Sequence, residues 1–355
     1  MVPTVSNPQS TTARSQVPAD EVRPLTRLGA WDLVRLVGEG QLASVYQARP
    51  TGSATNQPAC YAVKVLRPQW QDDLRGISTL AREVQVGRKV TNPHLVPILA
   101  GQLDHSPYYL AMPLLDGTTL CEYLKLQPQI DLPVAFWIVR QVAEALDALH
   151  QAGWMHSDVK PSNIFVSPTG HVTLFDLGFA RHADECSSIA DRVVLGTVNY
   201  MAPEMLSSSA GGDTRSDVYS LGVALFEILT GRLPFDGDDI GELAAHHRQD
   251  LPGDVRAQVP HLPTRAARLV HRMLAKDALR RPLPREVIDR LIRLEVETFD
   301  ERYAVAYTLD TPEIKPAAAL DGSSNRANPP GARPTVFRRE SGLRGQFATS
   351  SLRCP

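Results

Sequence analysis

The chain has 355 residues, 43% of them hydrophobic and 21% charged, an ordinary globular composition with length enough for more than one core. Its formal net charge of −2 lacks the basic excess of a dedicated nucleic-acid binder. Four scattered cysteines (Cys60, Cys121, Cys186 and Cys354) form no Cys-x-x-Cys pair, which disfavours a structural zinc site and suits reduced thiols in the cytoplasm.

Residues 1–29 are rich in Pro, Ser, Thr and Gln and read as a flexible tail. They carry no basic start followed by an apolar run, so no secretory signal is expected. Alternating apolar and polar residues predict strands over 31–37, 45–49, 61–66 and 108–112, with a loop over 50–58. A helix is predicted over 74–90. After Gly117 the pattern turns helical. Asp131 and Pro133 open a helix whose apolar residues run from Val134 to Leu149, and Gly153 stops it. Ser216 or Asp217 starts another, ended by Gly231, and two more lie near 264–275 and 284–297. The richest apolar stretch, 218–229, is broken by Ser220, Gly222 and Glu227, so no membrane span is expected. From about 300 onward periodicity is lost and a disordered tail is predicted.

The chemistry is concentrated in short segments. Residues 156–163 read His-Ser-Asp-Val-Lys-Pro-Ser-Asn, and Asp176-Leu177-Gly178 follows. They supply a carboxylate able to accept a hydroxyl proton (Asp158), a cation beside it (Lys160) and two oxygen ligands suited to magnesium (Asn163 and Asp176). Magnesium prefers hard oxygen donors and commonly combines one or two carboxyl-type side chains with substrate phosphates. Upstream, Val37-Gly38-Glu39-Gly40-Gln41-Leu42-Ala43-Ser44-Val45 precedes Ala62-Val63-Lys64, and Glu83 lies on the next helix. Glycines such as Gly38 and Gly40 let a backbone turn sharply and approach phosphates.

Together with Asn92-Pro93-His94-Leu95-Val96, Ala202-Pro203-Glu204 and Ser216-Asp217-Val218-Tyr219-Ser220-Leu221-Gly222, these segments resemble the protein kinase family. Their tone is similar to its bacterial, eukaryotic-like serine/threonine branch. The resemblance implies an α+β, bilobal fold over 30–298. A small β-rich lobe (30–115) with one main helix would precede a larger, mainly helical lobe (116–298), between tails 1–29 and 299–355. It implies Mg2+-dependent transfer of the γ-phosphoryl group of ATP to serine/threonine hydroxyls of protein substrates, in cytoplasmic signalling and without a nucleic-acid partner. The sequence carries no signal of oligomeric state.

The resemblance also assigns roles. Lys64 contacts the α- and β-phosphates and pairs with Glu83, while Gly38 and Gly40 cover the phosphates. Val45, Ala62 and Phe165 sandwich the adenine, and Met112 guards the back of its pocket. The Pro113 carbonyl and Leu115 amide bind the adenine edge; proline lacks a donor but keeps its acceptor. Asp158 is the base, Lys160 steadies the transferring phosphoryl charge, and Asn163 and Asp176 hold Mg2+. Glu204 pairs with Arg281. Asp217 braces the catalytic-loop backbone or caps its helix. Lys160 and Thr197 match the serine/threonine branch, and 196–201 matches the part that receives the residue after the phosphoacceptor.

Several positions depart from the family pattern. Ala43 replaces the third glycine of the phosphate loop, and Leu177 replaces a phenylalanine. Ser157 stands where the family usually has an arginine that binds a phosphorylated activation loop, which predicts weaker dependence on such phosphorylation. Gly87 shares a helix face with Glu83. Close packing against the next strand is the simpler reading. The alternative is a loosely held helix that swings Glu83, in which case Gly87→Ala raises basal activity. Ser187 and Ser188 are candidate autophosphorylation sites, and Arg338-Arg339-Glu340-Ser341 is a candidate site in cis. Two competing readings are a pseudokinase scaffold and a small-molecule phosphotransferase of related fold. The second sits poorly with the Ala202-Pro203-Glu204 segment.

Overall fold

Apolar residues at every second position build the first layer, an antiparallel sheet in the order β1-β2-β3-β4-β6-β5. The computed structural model describes residues 27–54, 56–128, 130–183, 185, 198–206 and 212–309, with 300–309 as backbone. Ser187, Ser188, Gly196, Thr197, the 338–341 motif and most of both expected tails lie outside the described residues. The strands are β1 (Arg27–Leu28), β2 (Trp31–Glu39), β3 (Ala43–Pro50), β4 (Tyr61–Leu66), β5 (Ala100–Gln102) and β6 (Tyr109–Pro113). Val63 and Val65 of β4 face one side, with Leu28, Ala48 and Ala111. Leu66 and Leu110 face the other, where Leu80 and Val84 of helix α1 (Leu74–Lys89) and Ile98 pack. Side chains alternate along a strand, so Lys64 shares the α1 side with Leu66. The Asp73 carboxylate caps α1 by accepting from the Arg75 N–H at 2.8 Å.

The larger lobe opens with β7 (Thr118–Thr119) and α2 (Leu120–Leu126). Then come α3 (Leu132–Gln151), β8 (Trp154–Met155), β9 (Ile164–Val166), β10 (Val172–Leu174) and β11 (Arg181–His182). The helices α4 (Thr214–Thr230), α5 (Ile240–Gln249), α6 (Val255–Gln258), α7 (Thr264–Met273) and α8 (Pro284–Leu309) complete it. Its core is one continuous apolar cluster around α3 and α4, reaching Val86 of α1 and Val90 just past its end. Leu95 also forms a parallel bridge to Leu174, and the Leu174 N–H donates to the His94 carbonyl at 2.8 Å. These contacts join the two layers behind the cleft.

Two helix boundaries differ from the sequence reading. The α4 helix starts earlier than Ser216, because Asp213 is its N-cap and its carboxylate accepts from the Arg215 N–H at 2.8 Å. The α8 helix runs past 297 to Leu309, in keeping with the lack of any Gly or Pro between 298 and 309. Among the described residues, no helix is long and apolar enough to cross a membrane.

Candidate active site

The ammonium of Lys64 lies 2.7 Å from Glu83 Oε2 and 2.8 Å from Asp176 Oδ1. One cation thus joins β4, α1 and the turn after β10. Glu83 is only 1% exposed. Burial opposes the charge on Lys64, but Asp176 and Glu83 outweigh it and raise its pKa, keeping it an ammonium. For Asp176, burial pulls upward and Lys64 pulls down more strongly, so the carboxyl lies below its usual range. For Glu83 burial wins over the attraction of Lys64, and its pKa is raised.

Asp176 occupies the left-handed region, with φ of 67°. Aspartate tolerates that region better than most residues. The turn it opens sits tightly on α1. A Cβ on Gly178 would lie 2.6 Å from Thr79 Cγ2, so the glycine permits the approach.

Across the cleft, Asp158 Oδ2 receives two donors. Lys160 Nζ lies at 2.8 Å and Asn163 Nδ2 at 2.8 Å, and the same Asn163 amide also reaches the Asp158 carbonyl at 2.8 Å. Both partners of the amide are acceptors, which fixes Asn163 Oδ1 as the outward atom. Asn163 therefore orients the Asp158 carboxylate while its own oxygen stays outward, a contact that the sequence reading missed. Beneath the loop, Asp217 Oδ2 accepts from the His156 N–H at 2.7 Å, and Oδ1 from the Ser157 N–H at 2.8 Å. Asp217 therefore braces the loop, and capping falls to Asp213. Those two bonds hold Ser157 at φ 68°, a conformation that serine rarely adopts. His156 adds a third tie through Nε2, 3.1 Å from the Phe175 carbonyl.

The glycine loop is the β2–β3 connection. Gly38 pairs with Val45 across the ladder, and the Gly40 N–H bonds the Ala43 carbonyl at 2.9 Å. Ala43 is buried at the start of β3 opposite Leu66, a place its small side chain fits. Val45 stands opposite Lys64, Ala62 opposite Met112, and the Phe165 ring meets Phe175 edge-on at 6.4 Å. The Leu114 N–H bonds the Cys60 carbonyl at 2.9 Å. Backbone groups alternate sides along a strand, so the Pro113 carbonyl at the end of β6 faces away from β4, and Leu115 lies two residues beyond that end.

Gly87 resolves in favour of packing. A Cβ there would lie 2.4 Å from Ile98 Cγ1, so the bare backbone is what lets α1 close on Ile98. The swinging-helix alternative, with a gain of activity from Gly87→Ala, is set aside. On the substrate side, Glu204 and Arg281 form a two-pronged pair at 2.6 and 2.8 Å. Tyr200 Oη donates to Glu227 at 2.6 Å.

The donors suit a divalent cation. Asn163 and Asp176 offer hard oxygens, to be completed by phosphate oxygens and water. The carboxylates of Glu83, Asp158 and Asp176 outnumber the ammoniums of Lys64 and Lys160, so an incoming polyphosphate requires additional positive charge.

Comparison with known proteins agrees with this geometry. The protein kinase domain family matches residues 31–291. The chain belongs to that family. Its kinase domain is 34% identical over 263 residues to the serine/threonine-protein kinase PknD of Mycobacterium tuberculosis, covering 73% of this chain and 38% of that protein. It is 31% identical over 245 residues to the probable serine/threonine-protein kinase PknB of Lactococcus lactis, covering 69% and 38%. It is 30% identical over 253 residues to the serine/threonine-protein kinase PrkC of Bacillus subtilis, covering 71% and 38%. The chain thus spans well under half the length of these curated relatives. Kinase domains of this family work with ATP and a divalent metal.

Proposed function

We propose that the chain transfers the γ-phosphoryl group of ATP to serine and threonine hydroxyls of protein substrates, with Mg2+ as the ion, in a cytoplasmic signalling role. The observation that carries this reading is the double engagement of Lys64 by Glu83 and Asp176, with Asp158 held across the cleft by Lys160 and Asn163. Those charged groups are the ones a pseudokinase would be free to lose.

When bound, ATP with its divalent ion supplies the phosphoryl group and neutralises charge that develops on the phosphates. The residues of the chain do the rest. Gly38 and Gly40 offer backbone to the phosphates. Lys64 places its ammonium against them, oriented by Glu83. Val45, Ala62, Met112 and Phe165 enclose the base, and the Pro113 carbonyl and Leu115 N–H read its edge. Asn163 and Asp176 would hold the ion. Asp158 orients the substrate hydroxyl and receives its proton, its carboxylate held through Oδ2 by Lys160 and Asn163. Lys160 steadies the transferred charge. Positioned acid–base groups of this kind contribute about 10²–10⁴ in rate. The serine/threonine assignment is supported by Lys160 and by the similarity to the serine/threonine-protein kinases PknD, PknB and PrkC.

The test is incorporation of γ-labelled phosphate from MgATP into casein, followed by phosphoamino-acid analysis, with Asp158→Asn as control. Phosphoserine or phosphothreonine formed only by the unaltered chain is the expected result. Incorporation no greater than the control, or phosphotyrosine alone, overturns the reading.

A further inference from the structure

Arg82 immediately precedes Glu83 on α1 but turns to a different set of partners. Its guanidinium meets Glu185 Oε1 at 2.5 Å and lies 5.2 Å from the centre of the Trp154 ring. Trp154 is buried in β8, and the His182 ring of β11 stands edge-on to it at 5.1 Å. Glu185 is held from its own side. Its N–H bonds the His182 carbonyl at 3.0 Å, and the Ala183 N–H bonds the Gly153 carbonyl at 2.9 Å. The first residues after the Asp176 turn are therefore fixed to the β8–β11 ladder, and they present a carboxylate to α1. Burial raises the pKa of that carboxyl, but Arg82 outweighs it and the net shift is downward, so it is ionised at neutral pH.

The catalytic loop offers no guanidinium at its own equivalent place. Ser157 stands there, and its Oγ is buried without a hydrogen-bond partner among the described residues. The ion pair of Arg82 with Glu185 ties the segment after Asp176 to α1. A helix turns as a body, so any rotation that frees Arg82 swings Glu83 by the same angle.

Resting on the kinase reading above, we propose that Arg82 is a positioning residue for phosphoryl transfer. Clamped by Glu185 and Trp154, it fixes the rotation of α1 that brings Glu83 to Lys64. It does so with a carboxylate already in the chain, not with an added phosphate.

The experiment uses the full chain after phosphatase treatment, with untreated chain as control. It compares unaltered protein, Arg82→Ala, Glu185→Gln, Glu185→Asp and the Arg82→Ala/Glu185→Gln double variant. The readouts are kcat on casein at saturating MgATP and amide hydrogen exchange of α1 without nucleotide. Each charge-removing single change should lower kcat about two- to fivefold, the population shift that a partly exposed ion pair carries. The double variant should be no slower than Arg82→Ala. Glu185→Asp should keep most of the activity, and α1 should exchange faster in the two charge-removing single variants. The proposal fails if Glu185→Gln matches the unaltered chain, if the two losses multiply in the double variant, or if phosphatase treatment alone abolishes turnover. Should Arg82→Ala not fold, the Glu185→Gln and Glu185→Asp comparison decides. An untreated chain without transfer sinks the kinase reading instead, which keeps the two failures apart.

Discussion

Asp217→Asn keeps the size of a buried side chain and removes one of its two acceptors. Asp217 is 1% exposed, and its oxygens receive the His156 and Ser157 N–H groups at 2.7 and 2.8 Å. In asparagine one oxygen becomes an NH2 group, a donor facing a donor. One backbone N–H is then left unpaired in the interior, at about 1–3 kcal/mol, and the other loses the charge on its acceptor, about 1 kcal/mol more. The left-handed Ser157, at φ 68°, also loses half its restraint. Such strain is of order 1–3 kcal/mol and is released when nothing opposes it. On the other side, burial holds the Asp217 carboxyl above its usual pKa, and a neutral asparagine escapes that penalty. The net loss should be about 2–3 kcal/mol, or a Tm lower by about 4–12 °C. Because Ser157 adjoins Asp158, its relaxation displaces the base, and a shift of about 1 Å costs about 10² in rate. Thermal unfolding and kcat measured on one preparation check both numbers. A variant within about 1 °C and about threefold of the unaltered chain would refute the bracing argument.

Arg281→Leu should destabilise the larger lobe by about 3–5 kcal/mol in urea unfolding, because the half-buried Glu204 carboxylate loses its guanidinium. Arg281 also donates to the Ala275, Arg215 and Lys276 carbonyls, which are stranded by the same change. The pair has an acid signature as well. Burial raises the Glu204 carboxyl, but Arg281 and Ser216 together outweigh it and depress its pKa. Its stabilisation is thus complete above the unfolded carboxyl pKa of about 4.3 and is lost as pH falls through the lower folded value. Stability followed from about pH 5 downward should fall more steeply in the unaltered chain than in Glu204→Gln, and parallel curves would count against the pairing. Gly87→Ala forces a methyl against Ile98 and should cost about 1–3 kcal/mol while lowering turnover. Adding Ile98→Ala should restore part of both, and a gain of activity in the single variant would revive the swinging-helix alternative.

The charged groups gathered at the cleft were legible because few residue types offer their chemistry and their order along the chain is informative. Lys64, Asp158, Asn163 and Asp176 stand out on that ground, and the structure brings Lys64 to Asp176 and Asn163 to Asp158. The elements with a strong period, β4, α1 and α3, were legible for the same reason their side chains pack: apolar residues recur on one face. Helical character was expected after Gly117, but the bounds of α2 and the whole of α5 were missed because both helices are short. A signal was nonetheless present in their caps. Thr119 and Glu122 bond each other's backbone N–H groups at the start of α2, and Asp239 accepts from the Glu242 N–H at 2.9 Å at the start of α5. The strands β7 and β9 are too short to show a period and exist only as partners, Thr118 opposite Val166. For Asp217 the sequence left loop bracing and helix capping side by side, and the structure decides for bracing through a contact about sixty residues back along the chain.

The seat of α1 explains why these distant contacts matter to one another. Glu83 lies in a place where burial raises its carboxyl, and it is acceptable there as a charge only beside Lys64. Lys64 in turn is shared with Asp176, whose turn rests on Thr79 of α1 through Gly178. The same helix is held by Ile98 against Gly87 and by Glu185 against Arg82. A partial withdrawal of α1 would leave a buried carboxylate without its cation, and breaking such a pair costs about 3–5 kcal/mol. Half-seated positions are therefore disfavoured, and packed interfaces of this kind move between discrete arrangements. On this reasoning the steric contacts at Gly87 and Gly178 and the ionic contact at Arg82 are coupled: each matters to catalysis because the Lys64–Glu83 pair admits only a fully seated helix.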